Sequence, residues 1–346
     1  MGRFGRGASP PGFMLQLLLV ALSVAALTST AQAAKAQLVP DFYKSSCPRA
    51  ETLISSAVNS ALNRQPGAAA GILRMFFHDC FVHGCDASVL IDAPGSERSH
   101  PANTGLHGYD VIDAAKAAVE KHCPGVVSCA DILAVATQLS VKKLSGGRIT
   151  YKVPLGRRDG RVSSQADVNG KLPRETASVA DLKTMFAANG LSTEDMVVLS
   201  GAHSVGTTGC DRIQNRLTAN PPDATLDTSY AAVLKKQCPP GAGTGGGHEC
   251  HWEWECQEKA NGRVNLDLAT PNRLDEVYYK NLQANKGLLT SDQNLQADAE
   301  TRPMVAANTA FRSFGPNFAR AMVKMGNIIY LSGTEGEIRL SCSCFN

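Results

Sequence analysis

The sequence predicts a mainly α-helical protein, and three observations support this. Apolar side chains recur at helical spacing, first over 51–63 and again over 68–82. Serine followed three residues later by aspartate, a pattern typical of helix starts, begins at Ser128, Ser178 and Ser192. Strand signals are short, and no hairpin turn joins adjacent apolar runs. With 346 residues, 43% of them hydrophobic, the chain is long and apolar enough for one large folded domain.

The same periodicity predicts the remaining elements in chain order. The stretch 239–262 breaks the pattern, because it is glycine-rich and contains both tryptophans, and we interpret it as an exposed insertion. Helices are expected over 111–122 and 128–144, after Ser178 and Ser192, and over 210–217, 274–285, 302–310 and 317–325, with short strands over 149–153 and 328–331.

The first 36 residues have the pattern of a secretory signal peptide. Arg3 and Arg6 precede an apolar stretch over 13–27, and Ala34-Lys35-Ala36 supplies small residues for cleavage. That stretch is short for a membrane span, and no other segment comes close to one. We therefore expect a secreted, soluble mature chain that begins near Gln37.

Removal of this segment would also remove the net charge. Residues 1–36 contain three basic residues and no acidic one, so the formal charge of +3 falls to zero. A neutral chain gives no reason to expect nucleic acid or an anionic membrane as a partner.

Eleven cysteines in a secreted chain indicate a disulfide framework, and the odd number leaves at least one sulfur unpaired. No Asn-x-Ser/Thr sequence occurs, so N-glycans are not expected despite secretion.

Two histidines in apolar segments are candidates for chemistry. Arg74 and His78 are four residues apart, so a helix places both on one face. Burial of this pair is costly unless it serves a function, and the cation favours a neutral histidine that suits a general base. His203 lies among small residues that admit a flat group, and imidazole is a common haem ligand. The alternatives are a satisfied core histidine and an Arg74 that pairs with a distant carboxylate.

Oxygen-bearing side chains cluster in two loops. Asp79, Asp86 and Ser88 lie in a loop that Cys80 and Cys85 can close, which makes a credible calcium site. The alternative is a solvated acidic loop. The second stretch, 267–275, is weaker evidence because it also fits an ordinary helix start.

Four motifs in the same order resemble those of the secreted plant (class III) haem peroxidases. LRMFFHDCFVHGCDAS at 73–88 resembles their distal helix and calcium loop, and VLSGAHSVG at 198–206 resembles their proximal haem-ligand motif. VSCAD at 127–131 and LGRRDG at 155–160 are similar to further family signatures. The resemblance runs from about Gln37 to Cys342.

The resemblance implies a haem-peroxidase-like helical fold with haem between distal and proximal halves and very little β structure. One haem peroxidase domain would then cover 37–346 after the 1–36 signal peptide. Its distal part would cover about 37–155 plus the C-terminal segment, and its proximal part about 156–300, with the insertion at about 239–262.

The resemblance also implies an enzyme that reduces hydrogen peroxide to water while small phenolic donors lose single electrons. His78 would be the distal acid–base, Arg74 the distal arginine and Asn103 the residue that orients His78. His203 would be the axial haem ligand and Asp292 its carboxylate partner. We expect one haem b, two calcium ions, a monomer, and a location in the cell wall or apoplast rather than the vacuole.

Further ligands and bonds are implied in the same way. Pro154 matches a proline whose carbonyl meets aromatic donors. The distal calcium ligands would be Asp79, Val82, Gly84, Asp86 and Ser88, with Glu97 linked through water, and the proximal ones Ser204, Asp267, Thr270, Arg273 (carbonyl) and Asp275. The family disulfides correspond to Cys47–Cys123, Cys80–Cys85, Cys129–Cys342 and Cys210–Cys238.

Two other classes of protein compete with this interpretation. A zinc or non-haem metal enzyme would need more His or Cys ligands near His78 or His203, and the sequence has none at metal spacing. A secreted binding protein that lost its activity is disfavoured because the catalytic set is complete.

Three cysteines lie outside the family framework: Cys250, Cys256 and Cys344. We expect a fifth disulfide, Cys250–Cys256, because these residues close a short loop, and a free or intermolecularly linked thiol at Cys344. His248 and His251 make a zinc site the alternative in the insertion, and an oxidising compartment disfavours it.

Overall fold

Helices dominate the part of the chain that the computed structural model describes, which is residues 1–2, 36–239 and 262–346. The mainly α-helical class is confirmed. The signal segment and the expected Cys250–Cys256 bond lie outside the described residues. The α-helices of the described part are α1 Ala50–Arg64, α2 Ala68–Val82, α3 Tyr109–Glu120, α4 Cys129–Leu144, α5 Val179–Ala188, α6 Thr193–Ser200, α7 Gln214–Leu217, α8 Thr228–Gln237, α9 Val277–Gln283, α10 Thr290–Ala297, α11 Arg302–Ala307 and α12 Phe311–Met325.

The β structure is a single antiparallel pair in the described residues. Strand β1, Thr207–Gly209, pairs with β2, Arg263–Asn265. The strands expected at 149–153 and 328–331 are wrong. Residues 149–153 form no bridge, the nearest being the single one between Leu155 and Val39, and 328–331 has only the single bridge between Leu331 and Arg158. A strand needs a hydrogen-bonded neighbouring strand along its length, and the local pattern of apolar residues does not show whether such a neighbour is present.

The helix starts follow their capping residues. The side chains of Ser128, Ser178 and Ser192 each accept a hydrogen bond from the N–H three residues on, and the latter two form complete capping boxes. Helix α9 begins at Val277, later than expected, because the Asp275 carboxylate accepts the Val277 N–H. Helices α8 and α10 were not expected from the sequence pattern.

The core forms around α2 and α4. Helix α1 packs against α3 and α4, α2 packs against α4, and α12 packs against α6. A second, smaller apolar cluster surrounds the bond between Cys210 and Cys238 and includes Ile213, Leu234 and Val264. None of the described helices combines the length and hydropathy of a membrane span.

The four disulfides that the resemblance implies are all present: Cys47–Cys123, Cys80–Cys85, Cys129–Cys342 and Cys210–Cys238. Cys344 is an exposed free thiol in the described part of the chain.

A buried ion pair joins the two family signatures at 127–131 and 155–160. The Asp131 carboxylate lies 2.9 Å from Arg157 Nη1 and also accepts hydrogen bonds from Tyr43 Oη and the Gly156 N–H. Arg157 Nε donates to the carbonyl of Gly326, at the end of α12. Both partners are inaccessible to solvent.

A second buried carboxylate fixes the C-terminal segment. Asp159 accepts hydrogen bonds from the Cys129 and Ala130 N–H groups at the start of α4 and from the Arg339 N–H. The Arg339 guanidinium donates in turn to the carbonyls of Ala87 and Gly160. The C-terminal segment is therefore held beside the loop that follows α2.

The Asp131→Asn variant should lose about 3–5 kcal/mol of unfolding free energy, because the Arg157 charge would stay buried without its partner. The matched control is Glu300→Gln, which breaks the exposed Lys183–Glu300 pair and should cost less than about 1 kcal/mol. Urea unfolding of both variants measures the difference, and equal losses would contradict it.

Candidate active site

Arg74, His78 and Asn103 form one hydrogen-bonded network. Arg74 Nε lies 3.1 Å from His78 Nε2, and His78 Nδ1 lies 2.6 Å from Asn103 Oδ1. Asn103 Nδ2 donates to the carbonyl of Glu97, which leaves Oδ1 as the acceptor that faces His78. His78 therefore carries its proton on Nδ1, and Nε2 keeps a lone pair.

The electrostatics keep His78 neutral. Burial and then the charge of Arg74 lower its pKa to about 3, and the hydrogen bond that His78 donates to Asn103 opposes them only in part. Burial, and after it the charge of Arg263, lowers the pKa of Arg74 to about 10, so the guanidinium stays charged at neutral pH.

The second network surrounds His203, which lies in a 3₁₀ turn over Gly201–Ser204. Its Nδ1 lies 2.8 Å from Asp292 Oδ1, and Asp292 projects from the first turn of α10. Burial alone would lower the pKa of His203, but the charge and hydrogen bond of Asp292 outweigh it and raise the pKa.

The charge of Arg74 and a close backbone approach at Gly206 link the two networks. The His203 side chain is 40% accessible to solvent, and Arg74 is also exposed. The surrounding protein nevertheless lowers the pKa of Arg74 and raises that of His203. The Arg74 charge acts on His203 directly. Gly206 adopts a φ of +96°, and a Cβ there would lie 3.9 Å from Ala70 Cβ on α2, so the two sides approach closely at this point.

Comparison with known proteins identifies the family. A family model described as Peroxidase matches residues 54–310. Peroxidase 71 of Arabidopsis thaliana is 46% identical over 311 residues, covering 88% of this chain and 88% of the relative. Peroxidase N1 of Nicotiana tabacum is 44% identical over 314 residues, which cover 88% of this chain and 89% of the relative. Peroxidase 2 of Oryza sativa subsp. japonica is 43% identical over 331 residues, which cover 94% of this chain and 98% of the relative.

The chain belongs to the peroxidase family. The resemblance to plant class III peroxidases is confirmed, and the protein is a peroxidase that reduces hydrogen peroxide while it oxidises a donor.

The loop after α2 collects the oxygens expected for the distal calcium site of this peroxidase. Asp79 Oδ2 accepts the Ala87 N–H, and Asp86 Oδ1 accepts the Ser88 N–H. Both Glu97 carboxylate oxygens and Ser88 Oγ are buried and have no hydrogen-bond partner in the described residues. Burial raises the pKa of Glu97 to about 7, and burial followed by the charges of Asp86 and Glu97 raises that of Asp79.

Backbone groups complete this loop. Val82 ends α2, and Gly84 adopts a φ of +103°, with its carbonyl accepting the Asp86 N–H. A Cβ at Gly160 would overlap the Asp86 carboxylate, so a larger residue there would displace this carboxylate.

The five expected proximal residues of the peroxidase are joined by direct hydrogen bonds. Ser204 Oγ donates to the carbonyl of Arg273 and accepts the Asp275 N–H. Thr270 Oγ1 lies 3.1 Å from Asp267 Oδ2 and 3.0 Å from Asp275 Oδ1, yet its hydroxyl has only one proton to donate. In one of these two pairs, therefore, the oxygens lie close together with no hydrogen between them. Oxygens that share a bound cation have the same arrangement.

Carboxylates alone do not make either site. No three His, Cys, Asp or Glu side chains in the described ranges converge closely enough to bind a metal ion. Calcium binding would therefore need the serine and threonine hydroxyls and the backbone carbonyls as well.

Pro154 is an expected site residue that forms no hydrogen bond with either network in the described residues. It lines a small cleft with Phe76, Tyr151 and Met322, and Phe76 projects from α2 on the face opposite His78. Its carbonyl already accepts a hydrogen bond from Arg157 Nη1. The contact between Pro154 and a donor stays a prediction.

Sequence reasoning missed Tyr278, whose hydroxyl lies 2.9 Å from Asp292 Oδ1. It is one of two adjacent tyrosines on α9, and nothing in the local sequence distinguishes the one that reaches Asp292. It also missed Phe186, which stacks on Phe77 beside His78.

Proposed function

We propose that this peroxidase is a secreted haem enzyme that reduces hydrogen peroxide to water with electrons from small phenolic donors. The observation that carries the proposal is the pair of networks, His78 with Asn103 and His203 with Asp292, the second of which lies within range of the Arg74 charge. Their pKa shifts have opposite signs, as expected for two histidines with different tasks.

The residues present fit a haem group. His203 uses Nδ1 for Asp292, so Nε2 is the nitrogen that would bind iron, and its side chain is 40% accessible. The bound haem would supply the redox chemistry. Asp292 holds the ring of His203 and increases its electron donation.

The distal residues would move the proton. In this structure Nε2 of His78 accepts the N–H of Arg74. Its lone pair would instead take a proton from hydrogen peroxide and return it to the leaving oxygen, so that water departs instead of hydroxide. Arg74 would stabilise the negative charge that develops as the O–O bond breaks. Asn103 fixes the tautomer in which Nε2 is the acceptor.

An aromatic surface supports a phenolic donor. Phe77 is partly exposed and lies 5.6 Å from His78, ring centre to ring centre. Phe81 and Phe186 pack against it and hold its orientation. A phenol could stack on this surface within reach of the distal residues.

We also place one calcium ion in each oxygen-rich loop. Asp79 follows His78 directly and Ser204 follows His203 directly, so each ion would anchor the residue next to a histidine. At the distal loop, the unpartnered oxygens of Glu97 and Ser88 support this assignment.

The four disulfides support secretion, because such bonds persist in oxidising compartments. Together with the signal-like N-terminus they favour the cell wall or apoplast. A monomeric state stays a prediction.

The His78→Leu variant should keep its Soret band but react with hydrogen peroxide about 10²–10⁴-fold more slowly, because no other base is placed to move the proton. His122→Leu is the matched control, since the His122 side chain is exposed and its one hydrogen bond in the described residues is with the carbonyl of Ala118. Stopped-flow spectra give the rate. A near wild-type rate in His78→Leu would refute its role, and purified wild-type protein that binds no haem would refute the function.

Complete removal of calcium should lower Tm. An ion present at about 100 times its Kd contributes about 2.7 kcal/mol, which corresponds to roughly 4 °C per ion for a domain of this size. The Ser88→Ala and Ser204→Ala variants should weaken calcium binding, whereas Glu194→Gln, an exposed control, should not. Calorimetry with and without a chelator decides, and identical melting curves and Soret spectra would contradict the assignment.

A further inference from the structure

One carboxylate oxygen of Asp292 accepts two short hydrogen bonds. Oδ1 lies 2.8 Å from His203 Nδ1 and 2.9 Å from the Tyr278 hydroxyl. The other oxygen, Oδ2, accepts only the more distant N–H of Leu289, at 3.3 Å, among the described residues. The two side chains therefore share the same negative charge.

Water does not compete with these two hydrogen bonds. Asp292 and Tyr278 are each 3% exposed, so water is not available to replace a lost hydrogen bond. Burial, and then the charge of Asp292, raises the pKa of Tyr278 well above its usual value. The hydroxyl therefore keeps its proton and remains a donor.

The surrounding elements hold Tyr278 in register with His203. Tyr278 is the second residue of α9, three residues after Asp275, whose N–H is donated to Ser204 Oγ. Its ring packs edge-on against Tyr279 at 5.0 Å. The tyrosine and the histidine are thus positioned by the same loop.

We propose that Tyr278 is a positioning residue that limits how strongly Asp292 polarises His203, and that it thereby raises the reduction potential of the haem iron. The inference rests on the proposed function, because it requires His203 to bind iron. Nothing in the sequence pattern assigns Tyr278 to the reaction.

The direction of the effect follows from the shared oxygen. Each donated hydrogen bond withdraws electron density from Oδ1, so the Tyr278 hydroxyl weakens the bond between Asp292 and His203 Nδ1–H. Without it, His203 becomes more imidazolate-like and a stronger donor to iron. A stronger axial donor favours the ferric state and lowers the potential.

The chain offers a matched control on the same helix. Tyr279 is also fully buried, but its hydroxyl donates to the carbonyl of Val198, at 3.0 Å, and not to Asp292. It also packs against Gly201, in the turn that carries His203. Tyr279→Phe therefore removes a buried hydroxyl beside the same turn without changing the charge on Asp292.

The test measures the ferric/ferrous midpoint potential and the ferrous iron–histidine stretching frequency of the holoenzyme. Tyr278→Phe should shift the potential to more negative values and the stretch to higher frequency, while Tyr279→Phe should shift neither. In an Asp292→Asn background, Tyr278→Phe should have no effect. Equal shifts in both tyrosine variants, or none in Tyr278→Phe, would overturn the proposal.

A second variant tests the proposal if Tyr278→Phe does not bind haem. Replacement of Tyr278 by 3-fluorotyrosine keeps the shape of the side chain. Its more acidic hydroxyl is a stronger donor, so the potential should move to more positive values, and a shift in the other direction would refute the inference. A wild-type protein without a histidine-ligated haem would refute the proposed function instead, so the two failures are distinguishable.

Discussion

The buried carboxylate of Asp131 is the constraint on which the positions of the other elements depend. It holds Tyr43, the start of α4 and Arg157 together without access to water, and Arg157 extends this network to Gly326. Gly326 lies against Phe76, on the back of α2. The ionic cluster therefore fixes one face of α2 and leaves the opposite face, with Arg74 and His78, for chemistry.

The chemistry depends on two histidines in contrasting environments. His78 is buried beside a cation and its pKa falls to about 3, whereas the carboxylate next to His203 raises the pKa of that residue. Under the proposed function, one imidazole would exchange a proton and the other would donate electrons to a metal. The same residue type would serve both tasks because its partners differ.

The oxygen-rich loops connect stability with this chemistry. Each loop is covalently adjacent to one histidine, through Asp79 in one case and Ser204 in the other. Unpartnered oxygens of Glu97 are costly in a buried position unless a cation compensates them. Occupancy of these loops would therefore affect the positions of the catalytic side chains as well as the unfolding free energy.

The sequence by itself determined the helical class, the extent of α2 and the pairing of Arg74 with His78, because periodicity and capping are local properties of the chain. Its resemblance to a family also supplied the partnership of His203 with Asp292. Only the tertiary structure decided that Tyr278 shares the Asp292 oxygen and that Pro154 lies behind α2. Such contacts depend on how distant segments pack, and local residue patterns carry no information about that packing.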